Sequence, residues 1–146
     1  MTATAYCIDE HSHRFAAWAA GRAASVTGCR FKVKEGLDWL EASGLTADIS
    51  APSDLPDPSQ TDKQHRKWRE LICRQAQTTH PSISHGVAAK LINCYLKSRF
   101  VCGGHHEHPN VTALHPPIDR LLLMALAKGS DGVEGKAWKK AGNKGW

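Results

Sequence analysis

The stretch from Ser84 to Phe100, SHGVAAKLINCYLKSRF, decides the fold class. Val87, Leu91, Cys94 and Tyr95 recur at three- and four-residue steps, which is the period of an amphipathic helix, and Ser84 stands where an N-cap belongs. The spacing predicts a helix over 85–100. Working outward, Thr61 or Asp62 can cap a helix running to about Gln77, with Trp68, Leu71, Ile72 and Gln75 on its apolar side. Lys63, Arg66, Lys67, Arg69 and Arg74 surround that side. Lys34 to Ser43 carries Leu37 and Leu40 on one side and stops at Gly44, with Leu45 as a packing partner for the stop. A first helix over 9–26 places Phe15, Trp18, Ala19, Ala23 and Val26 on one face, with Arg22 as the polar exception. Ala16, Ala20 and Ala24 mark a surface where a neighbouring helix can approach closely. A fifth helix is expected to start at Pro116-Pro117 and run through Ile118, Leu121, Leu122 and Ala125 to Gly129. These segments cover about half of the chain, above the usual one-third helix content. The expectation is an all-α fold, a compact single-domain bundle of about five helices with a long His-rich loop.

The size and composition agree with one soluble globular unit: 146 residues, 16.0 kDa, 41% hydrophobic and 23% charged, with a mean hydropathy of -0.42. The expected domain spans 1–128, and a tail over 129–146 is rich in Gly, Lys and Trp. No apolar run reaches the roughly 18 residues of a membrane span, and no signal peptide pattern opens the chain, so a cytoplasmic protein away from membranes is expected. Five cysteines, with no CxxC pair, argue against a disulfide framework. Nucleotide-binding glycine loops, nucleophile elbows and paired-carboxylate motifs are absent, which sets aside kinase, P-loop and Rossmann readings.

Charge is segregated along the chain. Residues 1–47 are neutral, 48–62 carry four acids and no base, and 63–146 carry 14 Lys+Arg against five Asp+Glu, a net of +9. The segment 48–62, with Pro52, Pro56 and Pro58, reads as an exposed acidic loop between two helical parts. A basic half joined to an acidic loop suits a nucleic-acid partner held in one orientation. Arg66, Lys67, Lys97 and Arg99 are the candidate phosphate contacts, and lysines beside tryptophans in the tail could stack on bases.

Two constellations carry candidate chemistry. The order G-V-x-x-K, an amphipathic helix and a later P-x-D resembles the helix-hairpin-helix DNA glycosylase superfamily. That resemblance implies that Gly86 and Val87 hold a DNA phosphate, that Lys90 is a nucleophilic lysine and that Asp119 assists it. Ala88 stands where the second hairpin glycine falls. In such chemistry a lysine amine forms a Schiff base while a carboxylate stabilises an oxocarbenium-like charge. The bland alternative for Asp119 is a carboxylate in the first turn of a helix, paired with Lys90 or Arg120. The segments HRFAAWAAGRAAS, AAKLINCYLKSRF and HPPIDRLLL also resemble uncharacterised helical proteins of bacterial genomes and mobile elements, a likeness that implies no activity. Such proteins make the competing reading a non-catalytic binding or inhibitor protein that meets a nucleic-acid or protein partner through basic and aromatic side chains.

The second constellation is CGGHHEHPNVTALH. Cys102, His105, His106, His108 and His115 offer nitrogen and sulfur donors within one segment, enough for a Zn²⁺ site if three or four converge. His11 and His13 could complete it, and Glu107 could act as a base on metal-bound water. The spacing matches no standard finger.

Overall fold

A computed structural model describes residues 6–129 and 136–140. The order of elements is α1 (Ile8–Ala24), α2 (Val33–Ala42), α3 (Thr61–Ala76), α4 (His85–Leu96), α5 (Pro109–Thr112) and α6 (Arg120–Gly129). Short 3-10 turns at Pro52–Asp54 and Pro58–Gln60 lead into α3. The chain is all-α: among the described residues the only β pairing is an isolated bridge between Val26 and Cys29. No described helix is long and apolar enough to cross a membrane.

The central element is α4. The Ser84 hydroxyl accepts from the Val87 N–H at 3.2 Å, which starts the helix as its sequence predicts. The helix is buried on more than one side, through Val87, Ala88, Leu91, Ile92, Asn93, Tyr95 and Leu96, because α1 packs on one side and α3 on another. Its α-helical part ends at Leu96, and Lys97–His105 continues as a wider π-type turn, reaching a positive φ at Gly104. Phe100 is therefore buried from that turn. The expected long His-rich loop is for the most part this turn together with α5.

Against α4 and α2, α1 turns its alanines: Ala16, Ala17, Ala20, Gly21 and Ala24 are buried. A Cβ on Gly21 would sit 3.2 Å from the Val33 Cα, so the smallness of this face sets how near α2 lies. The face chosen by counting large apolar residues is the wrong one, since Phe15 is 56% and Trp18 52% exposed. The two rings lie 5.8 Å apart on the outer surface.

On α3 the buried line is Thr61, His65, Trp68, Ile72 and Ala76, while Leu71 faces outward. Neither Thr61 nor Asp62 caps this helix. Gln60 occupies the cap position without a side-chain bond, the Thr61 hydroxyl donates to the Asp57 carbonyl, and Asp62 is engaged elsewhere. The acidic segment 48–62 is exposed at its carboxylates but buries Ile49, Leu55 and Thr61. It is fastened by the Asn110 amide, which donates to the Leu55 carbonyl at 3.1 Å. Gly44 has φ of 80° and ends the turn after α2, and Leu45 behind it is fully buried, as expected.

The last helix starts later than its prolines suggest. Residues 115–119 have no regular secondary structure, and α6 begins at Arg120 with Asp119 accepting the Leu122 N–H at 2.9 Å. Of α6 only Leu123 is buried among the described residues. Most of the expected 129–146 tail lies outside the described residues; within it, 136–140 form a helical turn on which Trp138 is partly exposed.

Candidate functional site

The polar side chains of α4 that face away from α1 line a seam. Lys90 and Asn93 are one turn apart on that face, with Lys97 a turn further. The irregular strap 115–119 lies along the seam and is held by three side-chain ties. The Lys90 ammonium donates to Asp119 Oδ2 at 3.1 Å, the Asn93 amide donates to the Pro116 carbonyl at 3.2 Å, and His115 Nε2 meets Asp62 Oδ1 at 2.7 Å. The Asn93 amide meets the strap's backbone at the Pro116 carbonyl, the other two ties join side chains, and prolines at 116 and 117 disfavour helix there.

Under the strap sits His65, from the buried line of α3. Its Nε2 donates to Asn93 Oδ1 at 2.7 Å, and its ring packs against that of His115 with centroids 4.5 Å apart and planes tilted by 43°. In that tautomer Nδ1 is the acceptor nitrogen, and it is buried without a partner among the described residues. Burial pushes the His65 pKa down to about 4, with His115 and Arg69 adding to the shift and the Asn93 hydrogen bond opposing it. The ring is therefore neutral at physiological pH. Sequence reading missed His65, Asn93 and the role of Asp62. Two signals pointed to them: His65 keeps step with Trp68, Ile72 and Ala76, and Asn93 interrupts the apolar run LINCYL.

Lys90 and Asp119, the candidate catalytic pair, are thus brought together. Their arrangement is that of an ion pair. Asp119 also caps α6, and its pKa is lowered first by the Leu122 N–H and then by Lys90, against the opposing effect of burial. A lysine nucleophile attacks as the free amine, whereas Lys90 donates to a carboxylate. Gly86 and Val87 lie in the first turn of α4, and the Val87 N–H is committed to Ser84.

The candidate zinc ligands do not converge. Cys102 and His105 are exposed on the wide turn, and His108 caps α5 by accepting the Asn110 N–H. His115 is turned to Asp62, while His13 bonds the Tyr95 hydroxyl at 2.9 Å and His11 bonds the Tyr6 hydroxyl at 2.8 Å. Among the described residues no three His, Cys, Asp or Glu side chains are placed to hold a metal.

His106 and His115 do come together in another setting. They line a groove of about 320 Å3 with Lys97, Thr112 and the apolar Val101, Val111, Leu114, Pro116 and Pro117; no carboxylate lines it. A second cavity, of about 530 Å3, lies between α1 and the residues after α2 and has the opposite character, with Asp9, Glu10 and Glu41 facing His13 and Arg99. Arg99 therefore parts company with Lys97. Its guanidinium reaches the Ser50 carbonyl at 3.4 Å and lies 5.7 Å from the Phe100 ring centroid.

The candidate phosphate contacts Arg66 and Lys67 are exposed on α3, together with Lys63 and Arg74. Among the described residues none of these four cations forms an ion pair: Asp62, at the start of the helix, is drawn to His115, and the exposed Glu70, one turn from both Arg66 and Arg74, is the one acid on that face. From Lys63 to Arg74 the row extends about 16 Å along the helix axis. Comparison with known proteins finds no matching family model, no matching curated protein and no matching solved structure.

Proposed function

We propose that the chain is a nucleic-acid-binding helical module that holds backbone phosphates on the exposed face of α3. The observation that supports this reading is the exposed row Lys63, Arg66, Lys67 and Arg74, four cations to the single acid Glu70 on the same face. Cations in such excess displace the counterions condensed on a polyanion, and this is the main source of sequence-independent affinity for nucleic acid. The acidic segment 48–62 adjoins the N-terminal end of the row and repels phosphate there, which gives the polyanion a preferred direction. Binding of labelled single- and double-stranded oligonucleotides by the wild type and by a variant with all four cations changed to Gln tests the proposal. A large loss in the variant is expected.

A second reading is a glycosylase/lyase-like enzyme, favoured by the meeting of Lys90 and Asp119 at 3.1 Å. The ion pair and the capping bond give both residues a structural use, so the binding module is preferred. Borohydride trapping on duplex DNA with an abasic site separates the two: the module gives no adduct, the lyase gives one that Lys90→Ala abolishes.

A further inference from the structure

We infer that the groove beside the strap takes a nucleoside monophosphate, free or as the phosphorylated end of a strand, with the phosphate on Lys97 and His106. This deepens the nucleic-acid reading and rests on it for the choice of ligand. Three observations carry the inference. The polar lining consists of one ammonium, two imidazoles and the Thr112 hydroxyl, with no carboxylate; the Thr112 hydroxyl donates to the Pro109 carbonyl and His115 Nε2 to Asp62, which leaves Lys97 and His106 to meet a ligand, and the ligand that complements them is an anion. A terminal phosphate monoester carries about −1.5 to −2 charges and three acceptor oxygens, which suits these two donors better than a singly charged internal diester. The remaining walls, Val101, Leu114, Pro116 and Pro117, are apolar and suit a sugar and base rather than bare inorganic phosphate.

The size agrees. A groove of about 320 Å3 falls at the small end of the range for small-molecule sites, and duplex DNA cannot enter it. The site is also prepared in advance. Asp62 accepts from His115 Nε2 at 2.7 Å and so fixes the ring that forms one wall of the groove. The same contact joins the groove to α3, because Asp62 and Arg66 are one turn apart on that helix.

The test is an NMR titration of the histidine ring signals with 5′-AMP, adenosine and inorganic phosphate, each raised to roughly millimolar concentration, where a weak site is visible. The expected result is movement of the His106 and His115 signals with AMP, weaker movement with phosphate, and none with adenosine. Lys97→Ala and His106→Ala, both at exposed positions, should each weaken AMP by about tenfold, as expected for losing one charge-assisted contact. The α3 variant with four Gln substitutions should bind AMP as the wild type does. Silent His106 and His115 signals at the highest AMP concentration would overturn the inference. So would adenosine binding as well as AMP, or inorganic phosphate binding as well as AMP. The two sources are separated by oligonucleotides with and without a 5′-phosphate. A gain from the 5′-phosphate that Lys97→Ala removes identifies a strand end, and AMP binding without such a gain identifies the free nucleotide. Failure of the α3 reading is distinguishable, because it leaves oligonucleotide affinity unchanged in the four-Gln variant whatever AMP does.

Discussion

His65 and His115 pack with ring centroids 4.5 Å apart and planes tilted by 43°, and one ring is buried while the other reaches the surface beside Asp62. The contact joins the core line of α3 to the strap and exposes the fold to acid. His65 is held neutral, with its pKa pushed down from 6.5 to about 4, chiefly by burial. The unfolded chain therefore binds an extra proton in the window between those values, and stability falls as pH drops from about 6.5 to about 4. The expected fall between pH 7 and 4.5 from this group is roughly 2–3 kcal/mol. His13, also lowered mainly by burial, acts in the same direction. Urea unfolding across this pH range should show a marked flattening in His65→Gln, with the remainder left to His13. An unchanged slope would mean that His65 is not the buried neutral group described.

Asp119 has two duties, the cap of α6 through Oδ1 and the tie to Lys90 through Oδ2. The cap is the stronger contributor, because both partners of the ion pair are partly solvated. Asp119→Ala should cost about 1–2 kcal/mol, and Lys90→Met less than about 1 kcal/mol. Oligonucleotide affinity should be unaffected by either change. A Lys90→Met protein that loses nucleic-acid binding while keeping its stability would return this pair to the functional site.

The alanine face of α1 leaves no room for growth at Gly21, where a Cβ meets the Val33 backbone at 3.2 Å. Gly21→Val should destabilise by about 1–3 kcal/mol through overpacking. Phe15→Ser, on the outer face, should change stability by less than about 0.5 kcal/mol despite removing a large apolar side chain. The opposite ranking in thermal unfolding would show that α1 packs on its aromatic side.

Helix content and the central position of the 85–96 segment can be read from periodicity and from the Ser84 cap. The orientation of α1 is less legible, because counting apolar residues favours Phe15 and Trp18, whereas close helix approach selects Ala16, Ala20 and Gly21 for their smallness. At the end of α4 the apolar spacing persists to Phe100, and spacing alone does not distinguish an α-helix from the wider turn that follows Leu96. The meeting of Lys90 with Asp119 is half legible: the two residues stand out, but only the path of 115–119 beside α4 makes them neighbours. His65 and Asn93 were hidden because burial and partners of a polar side chain depend on which strap passes over it. The histidine segment was singled out for metal ligands, while two of its histidines instead line a groove without acids.

The central claim, phosphate binding by α3, is tested most directly by the salt dependence of oligonucleotide affinity. If Lys63, Arg66, Lys67 and Arg74 each neutralise one phosphate, log K should fall with log salt concentration at a slope of about −3 to −4 on duplex DNA. The four-Gln variant should lose most of that slope together with most of its affinity at low salt. Equal slopes and equal affinities for the variant and the wild type would contradict the account.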